Sequence, residues 1–313
     1  MAKVKAFSDF EHQLYILSSE KNIIIQDADF AKNTLERIGY FPLIGGYKHL
    51  FRIPFTKTYK SGTTFEEIVA LYDFDANLRE LFFKYLLEIE RHLRSLISYY
   101  FSEKYGESQT AYLDVKNFNY TNRNKKTIIR LVGTLQHATT TTDYAYINHY
   151  RDSYGNIPLW VLVNVLTFGN LSKMYQVLPQ TLQSKICKSI KTVNPKQMGQ
   201  FLSCLTKFRN VCAHGERLFT YKTVDAIADL PIHAKMHIPM DAEQYIYGKK
   251  DLFAAVIAFR YLLPKQEFCR FKRSLNKLIA DLNKSVVHIS EEELLKQMGF
   301  PPNWKDITRY RIP

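Results

Sequence analysis

Apolar residues recur at steps of three and four between residues 75 and about 105. This spacing is the period of an α-helix and gives one face a broad apolar stripe. The stripe comprises Leu78, Leu81, Phe82, Tyr85, Leu86, Ile89, Leu93, Leu96 and Ile97. A helix with so broad an apolar face buries it against other helices, which predicts a helical bundle. We expect Asp75 to cap this helix. A separate helix should begin after Thr64, with Glu66 and Glu67 in its first turn.

A second long helix is predicted over residues 195 to 218. Pro195 suits its first turn, because the missing N–H would have no partner there. Seven apolar side chains then follow the helical period. They are Met198, Phe201, Leu202, Leu205, Phe208, Val211 and Cys212. We expect this helix to lie against the helix predicted from residue 75.

Arg209, Asn210 and His214 form a polar motif inside the second helix. Asn210, His214 and Arg217 are spaced by four and three, so they share one helical face. Arg209 and His214 are five residues apart, or about 140° around an ideal helix. One straight helix therefore does not aim both side chains at one atom. Either the backbone departs from helical geometry there, or two copies of the helix complete each other's site.

The chemistry of these three side chains suits cleavage of RNA without a metal ion. Histidine accepts and donates protons near neutral pH, since its ordinary pKa is about 6.5. Arginine binds phosphate through a permanent fork of donors, and asparagine positions an oxygen or a water. His214 would exchange a proton with the ribose 2′-OH or the leaving 5′-oxygen, which contributes typically ~10²–10⁴-fold. Alternatively, His214 is only a capping cation before Gly215, at a helix C-terminus.

The charge of the chain favours a polyanionic partner such as RNA. It has 43 Lys and Arg against 30 Asp and Glu, a formal net charge of +13. Two basic segments are expected to contact RNA phosphates. One is a loop that ends at residue 126, and the other is a helix predicted over 265–284. Their candidate RNA-binding residues are Arg123, Lys125, Lys126, Arg270, Lys272, Arg273 and Lys277. A solvated helix start explains Arg123, Lys125 and Lys126 equally well, and the helix over 265–284 is the best candidate for an RNA-backbone surface.

Metal, cofactor and membrane sites are not indicated by the sequence. The four cysteines form no C-x-x-C pair, which predicts reduced thiols in the cytoplasm rather than a zinc site. His233 and His237 have metal-compatible spacing only on a helix, and flanking prolines argue against one there. The longest apolar runs reach ~10–12 residues, short of the ~20 that a bilayer crossing needs. We therefore predict a cytoplasmic protein with no cofactor.

Several stretches together resemble one family of helical proteins. Arg209-Asn210-x-x-Ala213-His214 looks like the R-x4-H motif of HEPN domains, many of which are RNases. The ordered series resembles the abortive-infection (Abi) family of AbiD/AbiF type. The stretches of this chain that carry the resemblance lie at residues 38–41, 46–47, 64–68, 71–79, 89–95, 105–106, 158–160, 166–172 and 298–304. The resemblance implies an antiviral or toxin-like bacterial RNase that acts as a homodimer, and a small RNA holds some relatives in check.

The resemblance also implies a supporting residue pair. Glu90 and Arg94 are four apart, and family members place such a pair beside the R-x4-H site. Glu90 would then hold an arginine or the catalytic histidine, with Arg217 as a further supporting residue. An ordinary helix ion pair, worth ~0.2–0.5 kcal/mol, explains the spacing equally well.

The sequence thus predicts an all-α protein with a HEPN-like helical bundle. We expect an N-terminal helical and loop segment over 1–62, the bundle over 63–220 and a C-terminal helical extension over 221–313. The predicted function is metal-independent endoribonuclease in an antiphage abortive-infection or toxin–antitoxin system, acting through 2′-OH attack. Two alternatives remain: an RNA-binding module without catalysis, and a protein-interaction subunit of a defence complex.

Overall fold

The computed structural model of the chain describes residues 6–56, 58–140 and 143–312. Within these ranges the fold is all-α, as predicted, with one short antiparallel hairpin. The helices are α1 Phe10–Tyr15, α2 Ala28–Ile38, α3 Phe65–Tyr105, α4 Gln109–Leu113, α5 Lys125–Thr140, α6 Ala145–Tyr154, α7 Leu159–Leu162, α8 Phe168–Val177, α9 Gln180–Ile190, α10 Pro195–Ala213, α11 Pro231–Lys235, α12 Leu252–Leu262, α13 Lys265–Ser285 and α14 Glu291–Met298. The strands are β1 Met240–Asp241 and β2 Gln244–Tyr245. Short π-helical and 3₁₀ turns occupy Ile16–Glu20, Phe41–Gly45, Lys48–Phe51, Val115–Asn117, Val163–Val165 and Trp304–Thr308.

Helix α3 is the central element, and it is longer than the sequence pattern suggested. Thr64 and Glu67 form a reciprocal capping box at its start, and the helix then runs unbroken for 41 residues. The prediction that Asp75 caps a second helix is wrong. Asp75 lies inside α3 and is fully buried, because its carboxylate binds a distant segment of the chain.

The other helices pack around α3 as a bundle. Helices α10 and α13 both lie along α3, and α8 and α12 pack against α10. A cluster of aromatic rings joins α3 to the C-terminal helices, with Phe82 and Tyr85 within 5.5 Å of Phe259 or Phe271. One hydrophobic core therefore extends from the N-terminal segment to α14. The boundaries at residues 62 and 220 stay a prediction.

Polar contacts also attach the C-terminal residues to the start of α3. Glu67 accepts hydrogen bonds from the backbone of Val287 and His288 and lies 2.8 Å from the His288 ring. Lys60 pairs with Glu293 at 3.1 Å. Trp304 is fully buried. No helix in the described ranges combines the length and apolar character that a bilayer crossing requires.

Several element boundaries differ from the predictions. The helix predicted over 195–218 ends at Ala213, five residues early. Residues 138–143 contain four threonines and are predicted from the sequence to be a loop. In the structure this stretch begins as the last turn of α5, and residues 141–142 lie outside the described residues. Helix α11 forms at His233 although prolines argued against a helix, because Pro231 occupies its first turn.

Candidate functional site

Helix α10 carries the polar motif and is fixed at its start by local signals. Asn194 and Gln197 form a reciprocal capping box, and Pro195 fills the first turn. Its apolar face, including Phe201, Leu205 and Phe208, is fully buried. The helix is therefore held rigidly against the core up to the motif.

The motif lies where α10 ends. His214 is the C-cap residue, with φ −92° and ψ 2°, and Gly215 follows with φ 68°. The positive φ favours glycine, and it turns the chain sharply away from the helix axis. The backbone thus departs from helical geometry at His214, but no hydrogen bond or ion pair within the described residues joins the His214 side chain to Arg209.

Arg209 lies against two residues of α3. Its Nε is 3.6 Å from Glu90 Oε2, and its guanidinium carbon lies 5.7 Å from the centre of the Phe83 ring. The separation of 3.6 Å exceeds a hydrogen bond, so the attraction is that of two opposite charges. Both Arg209 Nε and Glu90 Oε2 are buried without a hydrogen-bond partner.

Glu90 binds a second arginine through its other oxygen. Arg94 donates from Nη2 to Glu90 Oε1 at 2.5 Å and to the Leu166 carbonyl oxygen at 2.8 Å. Only 1 % of Glu90 is exposed, whereas about a quarter of each arginine side chain remains accessible. A buried carboxylate flanked by two guanidinium groups leaves one surplus positive charge, which suits an anionic ligand such as a phosphate.

Asn210 and His214 face solvent at the end of α10. Within the described residues, neither side chain makes a hydrogen bond, and no hydrogen bond or ion pair joins His214 to Arg209 or Glu90. Arg217 is exposed and donates to the Gly46 carbonyl oxygen. The structure therefore brings Glu90, Arg94 and Arg209 together and leaves Asn210 and His214 beside them as free polar groups.

Asp75 holds the segment that follows His214. Its carboxylate accepts hydrogen bonds from the backbone N–H groups of Leu218, at 3.1 Å, and Phe219, at 2.8 Å. Tyr47 and Arg79 donate to the same carboxylate at 2.7 Å. His214 is thus fixed between a buried helix before it and an anchored segment after it.

The Asp75 cluster was missed by the sequence analysis, although its signal was present. Asp75 and Arg79 belong to the stretch 71–79 that carried part of the family resemblance, and Tyr47 belongs to 46–47. Phe83 had no such signal, since an aromatic residue on a core helix is ordinary. The stretch therefore serves to position residues 216–219, in addition to packing the core.

The predicted RNA-binding residues lie on two separate surfaces. Arg123, Lys125 and Lys126 are exposed around the start of α5. On α13, Arg273 and Lys277 are exposed, and Arg270 is exposed but pairs with Glu267. Lys272 is partly buried and donates to Thr308 Oγ1 at 2.7 Å, so it is less accessible than the other three α13 residues predicted to bind RNA.

Histidine and cysteine side chains do not gather into a metal site in the part of the chain that the structure describes. His233 is fully buried, where Nδ1 lies 3.0 Å from the Leu230 backbone nitrogen and Nε2 lies 3.0 Å from the Gly248 carbonyl oxygen. Burial lowers the pKa of His233, so the ring is held neutral in a structural role.

The sequence model of one family, described as Abi-like protein, matches residues 33–220. This span includes α3, α10 and the Glu90, Arg94 and Arg209 cluster. The chain belongs to the Abi-like protein family. No curated protein and no solved structure matches it. Helices α11 to α14 lie beyond the matched span, although they share its core.

Proposed function

We propose that this protein is a metal-independent endoribonuclease. The observation that supports it most is the buried Glu90 between Arg94 and Arg209, beside the exposed Asn210 and His214. Glu90 holds Arg209 in place without neutralising the whole cluster. A phosphate group bound there would lie next to a histidine that is free to exchange protons.

The proposed reaction is a transesterification within the RNA chain. One histidine accepts the proton of a ribose 2′-OH, and the 2′-oxygen then forms a bond to the adjacent phosphorus. The bond from phosphorus to the 5′-oxygen breaks, and a second acid protonates that oxygen. The products are a 2′,3′-cyclic phosphate and a 5′-OH. Arg209 stabilises the negative charge that develops on the phosphoryl oxygens.

The two proton transfers suggest a twofold arrangement. We propose a homodimer in which two α10 helices meet and supply His214, Asn210 and Arg209 from each chain to one cleft. One histidine would act as the base and the other as the acid. Each arginine would remain fixed by its own Glu90.

The Abi-like family suggests a role in abortive infection, and we propose that RNA cleavage is its effector step. The partner classes that follow are a cytoplasmic RNA substrate and an inhibitory small RNA. The formal charge of +13 supports a polyanionic partner, since it attracts nucleic acid over long range.

The test compares wild type with His214→Ala, using His12→Ala as a matched control. His12 is likewise exposed but lies in α1, outside the motif. Purified proteins are incubated with total bacterial RNA and tRNA, and RNA affinity is measured in parallel. We expect cleavage in wild type and His12→Ala, and a loss of at least ~10²-fold in His214→Ala with affinity retained. Equal cleavage by all three would reject His214 as a catalytic residue.

An RNA-binding module without catalysis is the second candidate. It is favoured by the lack of a direct link between His214 and the arginines, because no hydrogen bond or ion pair joins His214 to Arg209 or Glu90 within the described residues. This candidate predicts that wild type and His214→Ala bind RNA equally and that neither cuts it.

A further inference from the structure

A basic pocket lies between α13 and the C-terminal turn, outside the span that matches the family. Four residues of α13 form one polar row toward it, and the 3₁₀ turn Trp304–Thr308 supplies two more. The lining residues are Cys269, Lys272, Arg273, Asn276, Lys305 and Thr308. The pocket encloses about 340 Å³, within the range of roughly 300–1,000 Å³ found for small-ligand sites.

The walls of this pocket are rigid. Phe271 and Leu275 bury the other face of α13, and Trp304 and Ile307 bury the inner face of the turn. All four side chains are fully buried. The backbone that carries the polar groups is therefore held in place, which lowers the entropy cost of binding a ligand.

Three of the side chains that line the pocket are positively charged hydrogen-bond donors. Lys272 is partly buried, and its Nζ donates to Thr308 Oγ1, which is a hydroxyl and not a counter-ion. Arg273 makes no ion pair within the described ranges. Lys305 pairs with Glu291 at 3.2 Å, and half of its side chain is exposed.

The nearest carboxylates do not line the pocket. Glu291 is shared between Lys305 and Asn283, and Asp306 pairs with Arg309 at 3.1 Å. Burial lowers the pKa of Lys272, and the charge of Asp306 acts in the opposite direction. A bound anion would add to the stabilisation of the Lys272 charge.

We infer that this pocket binds the phosphate group of a phosphate ester. Lys272 and Lys305 act as point charges, while Arg273 offers a fork of donors that matches phosphate oxygens. Asn276 and Thr308 add neutral polar groups beside them. The volume leaves room for the sugar attached to the phosphate. The source is either an RNA chain or a free nucleotide; only the RNA source rests on the proposed function.

The test measures binding separately from cleavage. A single-stranded oligonucleotide of 2′-O-methyl RNA has no free 2′-OH, so the proposed reaction does not consume it. Its affinity is measured by fluorescence anisotropy at several salt concentrations, with and without a 5′-phosphate. The variants are Arg273→Gln and Lys272→Gln, and Lys265→Gln is the control because Lys265 is exposed on the same helix but outside the pocket.

If RNA is the source, Arg273→Gln binds the oligonucleotide roughly ten-fold more weakly at 0.1 M salt, and its salt slope falls by about 0.7. Dependence on the 5′-phosphate would identify a chain end as the ligand. If a nucleotide is the source, AMP or inorganic phosphate raises the melting temperature of wild type but not of Arg273→Gln. Arg273 is exposed, so this variant remains informative if Lys272→Gln unfolds.

The inference is overturned if Arg273→Gln matches wild type in affinity and salt slope while neither AMP nor inorganic phosphate stabilises the protein. An equal loss of oligonucleotide affinity in Lys265→Gln would also overturn it, because that result would show that the overall positive charge of α13, and not the pocket, attracts the RNA. None of these results depends on cleavage, so they leave the proposed RNase activity to its own test.

Discussion

Replacing Asp75 with alanine tests the anchoring of the segment that follows the motif. The substitution removes a carboxylate that accepts hydrogen bonds from Tyr47, Arg79 and the backbone of Leu218 and Phe219. Asp75 is fully buried, and 11 % of the Arg79 side chain is exposed, so water replaces few of these bonds. Removing one partner of a buried ion pair costs about 3–5 kcal/mol, because the other charge stays buried without compensation. We expect Asp75→Ala to lower the free energy of unfolding by an amount in that range.

Asparagine at this position separates hydrogen bonding from charge. Burial raises the pKa of Asp75, since removal of the carboxylate from water outweighs the lowering by Tyr47 and Arg79. Asp75→Asn keeps one acceptor oxygen but leaves the nearly buried Arg79 without its counter-ion. It should therefore cost less than Asp75→Ala but more than the loss of one hydrogen bond, about 2–3 kcal/mol.

Urea unfolding followed by circular dichroism measures these losses. Asp73→Ala is the matched control, because Asp73 is an exposed residue of the same helix, and it should change stability by less than about 0.5 kcal/mol. If Asp75→Ala and Asp73→Ala differ by less than about 1 kcal/mol, the anchoring role of Asp75 is refuted.

Three further predictions concern the C-terminal helices, pH and the dimer. Gly299→Ala should destabilise the protein far more than Gly155→Ala, measured by thermal unfolding: both glycines have positive φ, but only at Gly299 would a Cβ come within 2.3 Å of Asp251. Burial raises the pKa of Asp251 to about 7, above its unfolded value of about 3.9. The folded chain then holds the extra proton between these values, so the unfolding free energy should fall as pH rises from about 4 to 7, and Asp251→Asn should flatten that slope in urea titrations. Mixing wild type with an excess of His214→Ala chains should lower RNA cleavage below the share of wild-type chains if the cleft needs both histidines; cleavage in proportion to the wild-type chains after subunit exchange would count against a shared cleft.

The helices were predictable from local sequence patterns, whereas contacts between residues distant in the chain were not. The apolar stripe and the Thr64–Glu67 capping box both lie within a few residues, so the start and face of α3 were visible in the sequence. Asp75 was misassigned because the sequence alone does not distinguish an aspartate that caps a helix from one that is a buried hydrogen-bond acceptor. Its partner Phe219 lies 144 residues away.

The same distinction applies to the candidate site. Glu90 and Arg94 are one helical turn apart, so their pairing was open to prediction from spacing alone. The approach of Arg209 to Glu90 and Phe83 joins two helices and depends on how α10 packs on α3. Thr308, which binds Lys272, lies 36 residues away along the chain, so nothing local in the sequence indicated this contact.

The chemical identity of the cut ends tests the central claim most directly. Wild-type protein is incubated with RNA in excess EDTA, and the ends of each product are mapped. Attack by the 2′-OH with His214 as the proton carrier predicts cleavage that continues in EDTA and leaves 2′,3′-cyclic phosphate and 5′-OH ends. Products with 3′-OH and 5′-phosphate ends, or cleavage that stops in EDTA, would contradict the account.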